Sequence, residues 1–139
     1  MMGLTEADGV IGSRYVAGAS VQRTPTRRFV GGAFRLAVRS IVGLPFADTQ
    51  CGYKAFRTDW IRRVLPRLVV HDMAFDVELL AFLTRLGARI RELPVRWTEV
   101  PGARAGWQQH LMATGLSMLR TLWHIRRRLQ QFTPTSSNP

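Results

Sequence analysis

The sequence predicts a helix-rich α/β chain with too few strands for a self-sufficient sheet. Three observations lead there. The 139 residues are 46% hydrophobic and 21% charged, which suits one compact domain and argues against wholesale disorder. Four stretches carry apolar residues at helical spacing, whereas only two or three short segments have strand character. The first of those strands starts almost at Met1, and an isolated strand pair is marginal, so its neighbours are expected to be missing.

The elements follow in order. Val10-Ile11 runs into Gly12-Ser13-Arg14-Tyr15 and reads as the end of a short strand breaking into a loop. Residues 16–26, with Gly18, Ser20, Thr24, Pro25 and Thr26, read as loop or hairpin. From Arg27 to Val42, Phe29, Val30, Ala33, Phe34, Ala37, Val38 and Ile41 recur at helical spacing, with Arg27, Arg28, Arg35 and Arg39 opposite. Gly43-Leu44-Pro45 stops that helix. Asp48-Thr49-Gln50-Cys51-Gly52-Tyr53-Lys54 has no period and reads as a tight polar segment before a short strand, Ala55-Phe56-Arg57. Thr58 is placed as the N-cap of a helix through Trp60, Ile61, Val64 and Leu65. A third helix is placed from Phe75 to Leu86, with Gly87 just past its end. Ile90, Leu93, Val95 and Trp97 suggest a strand that Pro94 puts at an edge or bulge. A long helix is placed over residues 108–131, with a stripe of Leu111, Gly115, Leu119 (or Met118), Leu122, Ile125 and Leu129. Residues 132–139 read as a disordered tail and residues 1–131 as one partial domain.

The charge narrows the partners. Lys+Arg is 20 and Asp+Glu is 9, a net +11, so an anionic partner is expected: nucleic acid, a lipid surface or a phosphorylated substrate. All the basic residues but Lys54 are Arg, and they are scattered through the helices rather than gathered in a tail. No helix-turn-helix or aromatic RNA-binding signature is present, so no specific nucleic acid is expected. One cysteine excludes an internal disulfide framework and a Cys-based zinc cluster. No apolar run reaches the roughly 18–20 residues that span a bilayer, and the first residues lack the basic and apolar regions of a signal peptide.

The chemistry-bearing segments are Gly12-Ser13-Arg14-Tyr15, Arg27-Arg28, Asp48-Thr49-Gln50-Cys51-Gly52-Tyr53-Lys54, Phe75-Asp76-Val77-Glu78 and Glu92-Leu93-Pro94-Val95-Arg96-Trp97. In this order and spacing they resemble the C-terminal half of a family 2 inverting glycosyltransferase. The subgroup is that of the dolichyl-phosphate or polyprenyl-phosphate glucosyl- and mannosyltransferases, and the resemblance covers about residues 8–130. It implies the C-terminal part of a GT-A fold, a mixed sheet with helices on both faces. The family's nucleotide-binding strands and metal-gripping Asp-x-Asp lie in the other half, which nothing here matches. A divalent metal, Mg or Mn, is therefore expected for the complete enzyme, with its ligands absent from this chain.

What the resemblance leaves to this chain is the acceptor side. Arg14 and Arg28 are placed on the acceptor phosphate; the alternatives are a surface cation at a strand end and the solvated face of a helix start, with Arg27 able to substitute. The family often has Ser where this chain has Gly32. Asp48 and Gln50 are placed at the reaction centre, against the alternative of an Asx-turn holding its own backbone. The acceptor phosphate is already ionised near neutral pH, so a general base is hardly required. Asp76 and Glu78 are placed on the sugar pocket, against simple favourable charge at a helix N-terminus. Arg104, in Pro101-Gly102-Ala103-Arg104, is placed on the donor diphosphate. Cys51 reads as small and buried, and Lys54 as either a phosphate contact or a surface cation.

Two functions follow. The first is transfer of a hexose from a nucleotide sugar to a polyprenyl or dolichyl phosphate by a truncated transferase, on the cytoplasmic face of a membrane, with a separate N-terminal half or a second copy as partner. The second is a non-catalytic remnant acting as a peripheral membrane or scaffold protein, for which the amphipathic, Arg-bearing helices suit an anionic lipid surface.

Overall fold

In a computed structural model of the chain, the structure describes residues 6–22, 25–98 and 111–133. Strands β1 (Gly9–Ser13), β3 (Lys54–Phe56) and β4 (Ile90–Pro94) form one sheet in the order β3-β1-β4. β1 runs antiparallel to β3 and parallel to β4, in a register that sets Ile11 against Glu92 and Ser13 against Pro94. β2 (Ser20–Gln22) and β5 (Arg96–Thr98) form a separate parallel pair. Among the described residues of this stretch, Ser20–Gln22 pairs not with a neighbouring strand but with a segment 76 residues on, because Val95 joins the two sheets. Its amide donates to Ser13 O (3.2 Å) and its carbonyl accepts from Ser20 N (3.1 Å).

β1 is the central strand and is nearly all buried, and its glycines let the neighbouring strands close in. A Cβ on Gly12 would lie 2.7 Å from Val95 Cγ1 and 3.0 Å from Cys51 Sγ. The mixed α/β class expected from the sequence is what the structure contains.

The helices are α1 (Pro25–Ala37), α2 (Thr58–Val64), α3 (Phe75–Arg85) and α4 (Leu111–Gln131). The helix placed at 27–42 starts at Pro25, where a missing N–H costs nothing, and its last five residues, Val38–Val42, widen into a π turn. Gly43, at φ +80°, closes that turn by donating to Val38 O. Thr58 is not an N-cap: Arg57, in extended conformation, holds the cap position, and Thr58 is the first helical residue. A 3-10 turn, Leu65–Arg67, follows α2. α3 ends where the sequence places its end, with Gly87 at φ +93°.

Two apolar clusters tie the helices to the sheet. Ile11, Val38, Leu44, Val77, Leu80, Leu122 and Ile125 form the larger, and Val64, Leu79, Phe82 and Leu83 the smaller. Leu122 and Ile125 belong to the stripe predicted for the last helix, whereas Leu119 is 40% exposed. Phe132, placed in the tail by its sequence, packs its ring edge-on against Phe82 at 5.5 Å. Residues 134–139 lie outside the described residues.

Candidate active site

The site sits where β1 leaves the sheet. Ser13 is wholly buried, and the next residue, Arg14, emerges at the fork between the two sheets. There it meets Asp48, which is only 2% exposed. Arg14 Nε donates to Asp48 Oδ2 at 2.6 Å, Arg14 Nη2 to Asp48 Oδ1 at 2.8 Å, and the Arg14 amide to Oδ2 at 3.0 Å. The Gln50 amide adds a fourth donor at 3.2 Å. This is the bidentate geometry that makes an Arg–carboxylate pair strong. Burial alone would lower the Arg14 pKa, but the hydrogen bonds and charge of Asp48 outweigh it and hold the guanidinium above its ordinary value. Arg14 also lies 5.8 Å over the half-exposed ring of Trp97 on β5.

With all four of these bonds Asp48 serves as an acceptor, and the Asx-turn to Gln50 and the ion pair to Arg14 coexist. Two of the five Arg14 side-chain N–H donors are taken, which leaves three for a ligand. Gln50 Nε2 is a buried donor with no hydrogen-bond partner among the described residues. A buried donor left unmade costs about 1–3 kcal/mol, a cost more often retained at working sites than elsewhere.

The other residues named from the sequence fall in different places. Asp76, at the start of α3, pairs with Lys54 at 3.0 Å, and Lys54 also donates to the Cys51 carbonyl, so Asp76 is joined to the 48–54 segment. Lys54 is thus mostly buried and paired rather than a surface cation. Glu78 is separated from Asp76. It is wholly buried, its Oε2 accepts from Val69 N (3.0 Å) and Val70 N (2.9 Å), and its Oε1 pairs with Arg128 of α4. The reason is helical geometry: residues two apart on a helix point to nearly opposite faces. Every oxygen of Glu78 is occupied by the fold, which leaves none for a sugar. Arg28 is exposed on the first turn of α1. Arg35, two turns on, stacks 4.6 Å over the ring of Tyr15, the residue after Arg14, so α1 delivers a further cation to this loop. Arg104 lies outside the described residues. Cys51 is buried and free, in keeping with its reading as a small buried residue.

Glu92 is a site residue to which the motifs assign no role. Its carboxylate accepts two successive amides, Ala47 N at 2.9 Å and Asp48 N at 3.0 Å. The signal in the sequence is strand alternation, which puts Glu92 on the same face as core-packed Ile90, where an acid needs a partner. Among the described residues no three His, Cys, Asp or Glu side chains converge into a set able to hold a metal ion. The described residues therefore offer no metal site of their own.

Comparison with curated proteins gives the class: the chain resembles glycosyltransferases named for lipid phosphates. It is 35% identical to the dolichyl-phosphate beta-glucosyltransferase of Dictyostelium discoideum, over 60% of this chain and 25% of that protein. A dolichyl-phosphate beta-glucosyltransferase of Trichomonas vaginalis is 37% identical over 75% of this chain and 32% of its own length. The undecaprenyl-phosphate mannosyltransferase of Micrococcus luteus is 37% identical over 67% of this chain and 39% of its own length. The chain thus spans between about a quarter and two fifths of the length of these three relatives. No protein-family model and no solved structure matches it.

Proposed function

We propose that this chain carries the acceptor-phosphate side of a family 2 glycosyltransferase that moves a hexose from a nucleotide sugar to a polyprenyl phosphate. The observation that carries this reading is the Arg14–Asp48 pair, set at the end of the central strand in the two segments that resemble the family most. In the reaction an acceptor phosphate oxygen bonds to the anomeric carbon from the face opposite the leaving nucleoside diphosphate, and the configuration inverts. No proton need be removed from the acceptor, so Asp48 is free to orient Arg14 rather than act as a base. Arg14 aims its three remaining donors at the phosphate. Because Asp48 neutralises Arg14 locally, the anion needs further charge, and Arg28 and Arg35 on α1 supply it. Gln50 Nε2 is the neutral donor for a phosphate or sugar oxygen.

The donor diphosphate and any divalent metal belong to residues beyond those described here, with Arg104 as this chain's contribution. A membrane surface is the natural setting for so apolar an acceptor. α1 exposes Phe29 and Leu36 beside Arg28 and Arg35, and α4 exposes Leu116, Leu119 and Trp123 beside Arg120 and Arg127. Apolar side chains flanked by cations suit a helix lying in a lipid interface. No described helix is long and apolar enough to cross a membrane.

The test is titration with farnesyl phosphate in detergent, read by the nitrogen-15 NMR signals of the Tyr15 and Gln50 backbone amides, which wild type and Arg14→Ala share. Saturable binding that Arg14→Ala weakens at least tenfold is expected, since a hydrogen bond between charged groups contributes about 1.5–3 kcal/mol. Equal affinity for farnesol, which lacks the phosphate, would overturn the proposal.

A further inference from the structure

The Arg14–Asp48 pair is not self-supporting. Asp48 leaves a turn that has no regular secondary structure of its own, and such a turn would let its carboxylate swing. What holds the turn is Glu92 on β4. Its Oε2 accepts from Ala47 N and its Oε1 from Asp48 N, at 2.9 and 3.0 Å. A planar carboxylate spanning two successive amides fixes both peptide planes, and with them the direction in which Asp48 points. Glu92 is itself fixed, because β4 lies in register beside β1 with Ile11 opposite Glu92. A continuous chain of bonds therefore runs from β4 through the 47–48 amides and the Asp48 carboxylate to Arg14 at the end of β1. Trp97 offers Arg14 a second contact, but at 5.8 Å to the ring centre it sets no direction for the guanidinium donors.

We infer that Glu92 is the positioning residue that holds Asp48 against Arg14, and so sets how well Arg14 presents its free donors to the acceptor phosphate. The phosphate half of this statement rests on the proposed function, but the positioning half does not.

The experiment uses the whole chain and the variant Glu92→Gln, which keeps shape and one carbonyl oxygen but turns an amide group toward the second backbone N–H. Solvent exchange of Arg14 Nε–H is expected to speed up at least tenfold, while the amides of Leu79 to Leu83 in α3 keep their protection. Affinity for farnesyl phosphate is expected to fall about tenfold in Glu92→Gln and to fall no further when that change is added to Arg14→Ala. Unchanged Arg14 Nε–H exchange in the folded variant would overturn the inference, as would an equal affinity loss in the Arg14→Ala background. A wild-type chain that takes up no farnesyl phosphate would refute the functional reading, and the exchange measurement would still decide the positioning role. Should Glu92→Gln fail to fold, Asp48→Asn tests the order of the chain. It should free Arg14 Nε–H while the amides of residues 47 and 48 stay protected, and loss of their protection would show that Asp48 holds Glu92 rather than the reverse.

Discussion

Replacing Arg128 by Met should destabilise the fold far more than its place near the end of the last helix suggests. The carboxylate of Glu78 is wholly buried and meets one cation, Arg128, besides the amides of Val69 and Val70. Arg128 also donates to the Arg67 carbonyl at 2.6 Å and lies 5.1 Å over the ring of Phe82. Taking the cation away leaves a buried charge with only two neutral donors, a change that costs about 3–5 kcal/mol when a buried pair is broken from one side. Glu78→Gln should cost less, about 1–3 kcal/mol, because an oxygen remains for the amides. Arg128 in that variant can turn outward, being 23% exposed already. The double variant should cost less than the sum of the two, since each single change strands the same partner. Against a typical domain stability of about 5–15 kcal/mol, the Arg128 effect is large enough to read from urea melts followed by circular dichroism. A loss below about 1 kcal/mol for Arg128→Met, at unchanged denaturant slope, would refute the reasoning, because it would mean that the Glu78 carboxylate does not depend on Arg128 in the folded chain.

Three further outcomes are expected. Gly12→Ala drives a methyl toward Val95 Cγ1 and Cys51 Sγ in the central strand and should cost about 1–3 kcal/mol, and a melt matching wild type would contradict the close packing at β1. Asp48→Ala leaves Arg14 without its partner and the Gln50 amide without an acceptor and should cost about 3–5 kcal/mol in the same melts, whereas a neutral effect would show that the pair is not formed in solution. Asp8 holds its pKa below the usual carboxylate value, chiefly because the Arg89 amide donates to it at 2.8 Å; burial opposes this, and Trp60 and Arg89 side chains assist. A depressed folded pKa gives stability above the unfolded value of about 3.9 and loses it as pH falls through the lower folded value. The melting-temperature gap between wild type and Asp8→Asn should therefore be full at pH 7 and close below about pH 4, and a gap that persists to pH 2 would contradict that linkage.

The parts of the fold legible in the sequence are those set by local rules. Gly87 marks the end of α3 because the left-handed conformation it adopts suits glycine, and the stripe through Leu122 and Ile125 is buried because its spacing repeats over a long helix. The pairing of β2 with β5 was illegible, since three-residue strands carry no usable alternation and their partner is chosen by Val95, which neither strand contains. The π turn at Val38–Val42 and the cap at Arg57 likewise depend on what packs against them. In the site, Arg14 pairs with Asp48 and the Gln50 amide joins them, a contact between segments 34 residues apart that residue spacing does not reveal. Asp76 and Glu78 do not converge, because their two-residue spacing puts them on opposing helix faces, a rule available from the sequence itself. Strand alternation marks Glu92 as an acid on a packed face, but its partners are backbone amides, which leave no mark on residue identity.

The central claim is that Arg14 and its α1 cations form a site for a lipid-borne phosphate. Its most direct test is co-sedimentation of the chain with phosphatidylcholine vesicles, one set doped with undecaprenyl phosphate and another with phosphatidylglycerol at equal surface charge. Preferential sedimentation with the undecaprenyl phosphate vesicles, lost in Arg14→Ala, is the expected result. Equal sedimentation with both vesicles, unchanged by Arg14→Ala, would mean that the net charge of +11 binds any anionic surface and would contradict a dedicated phosphate site.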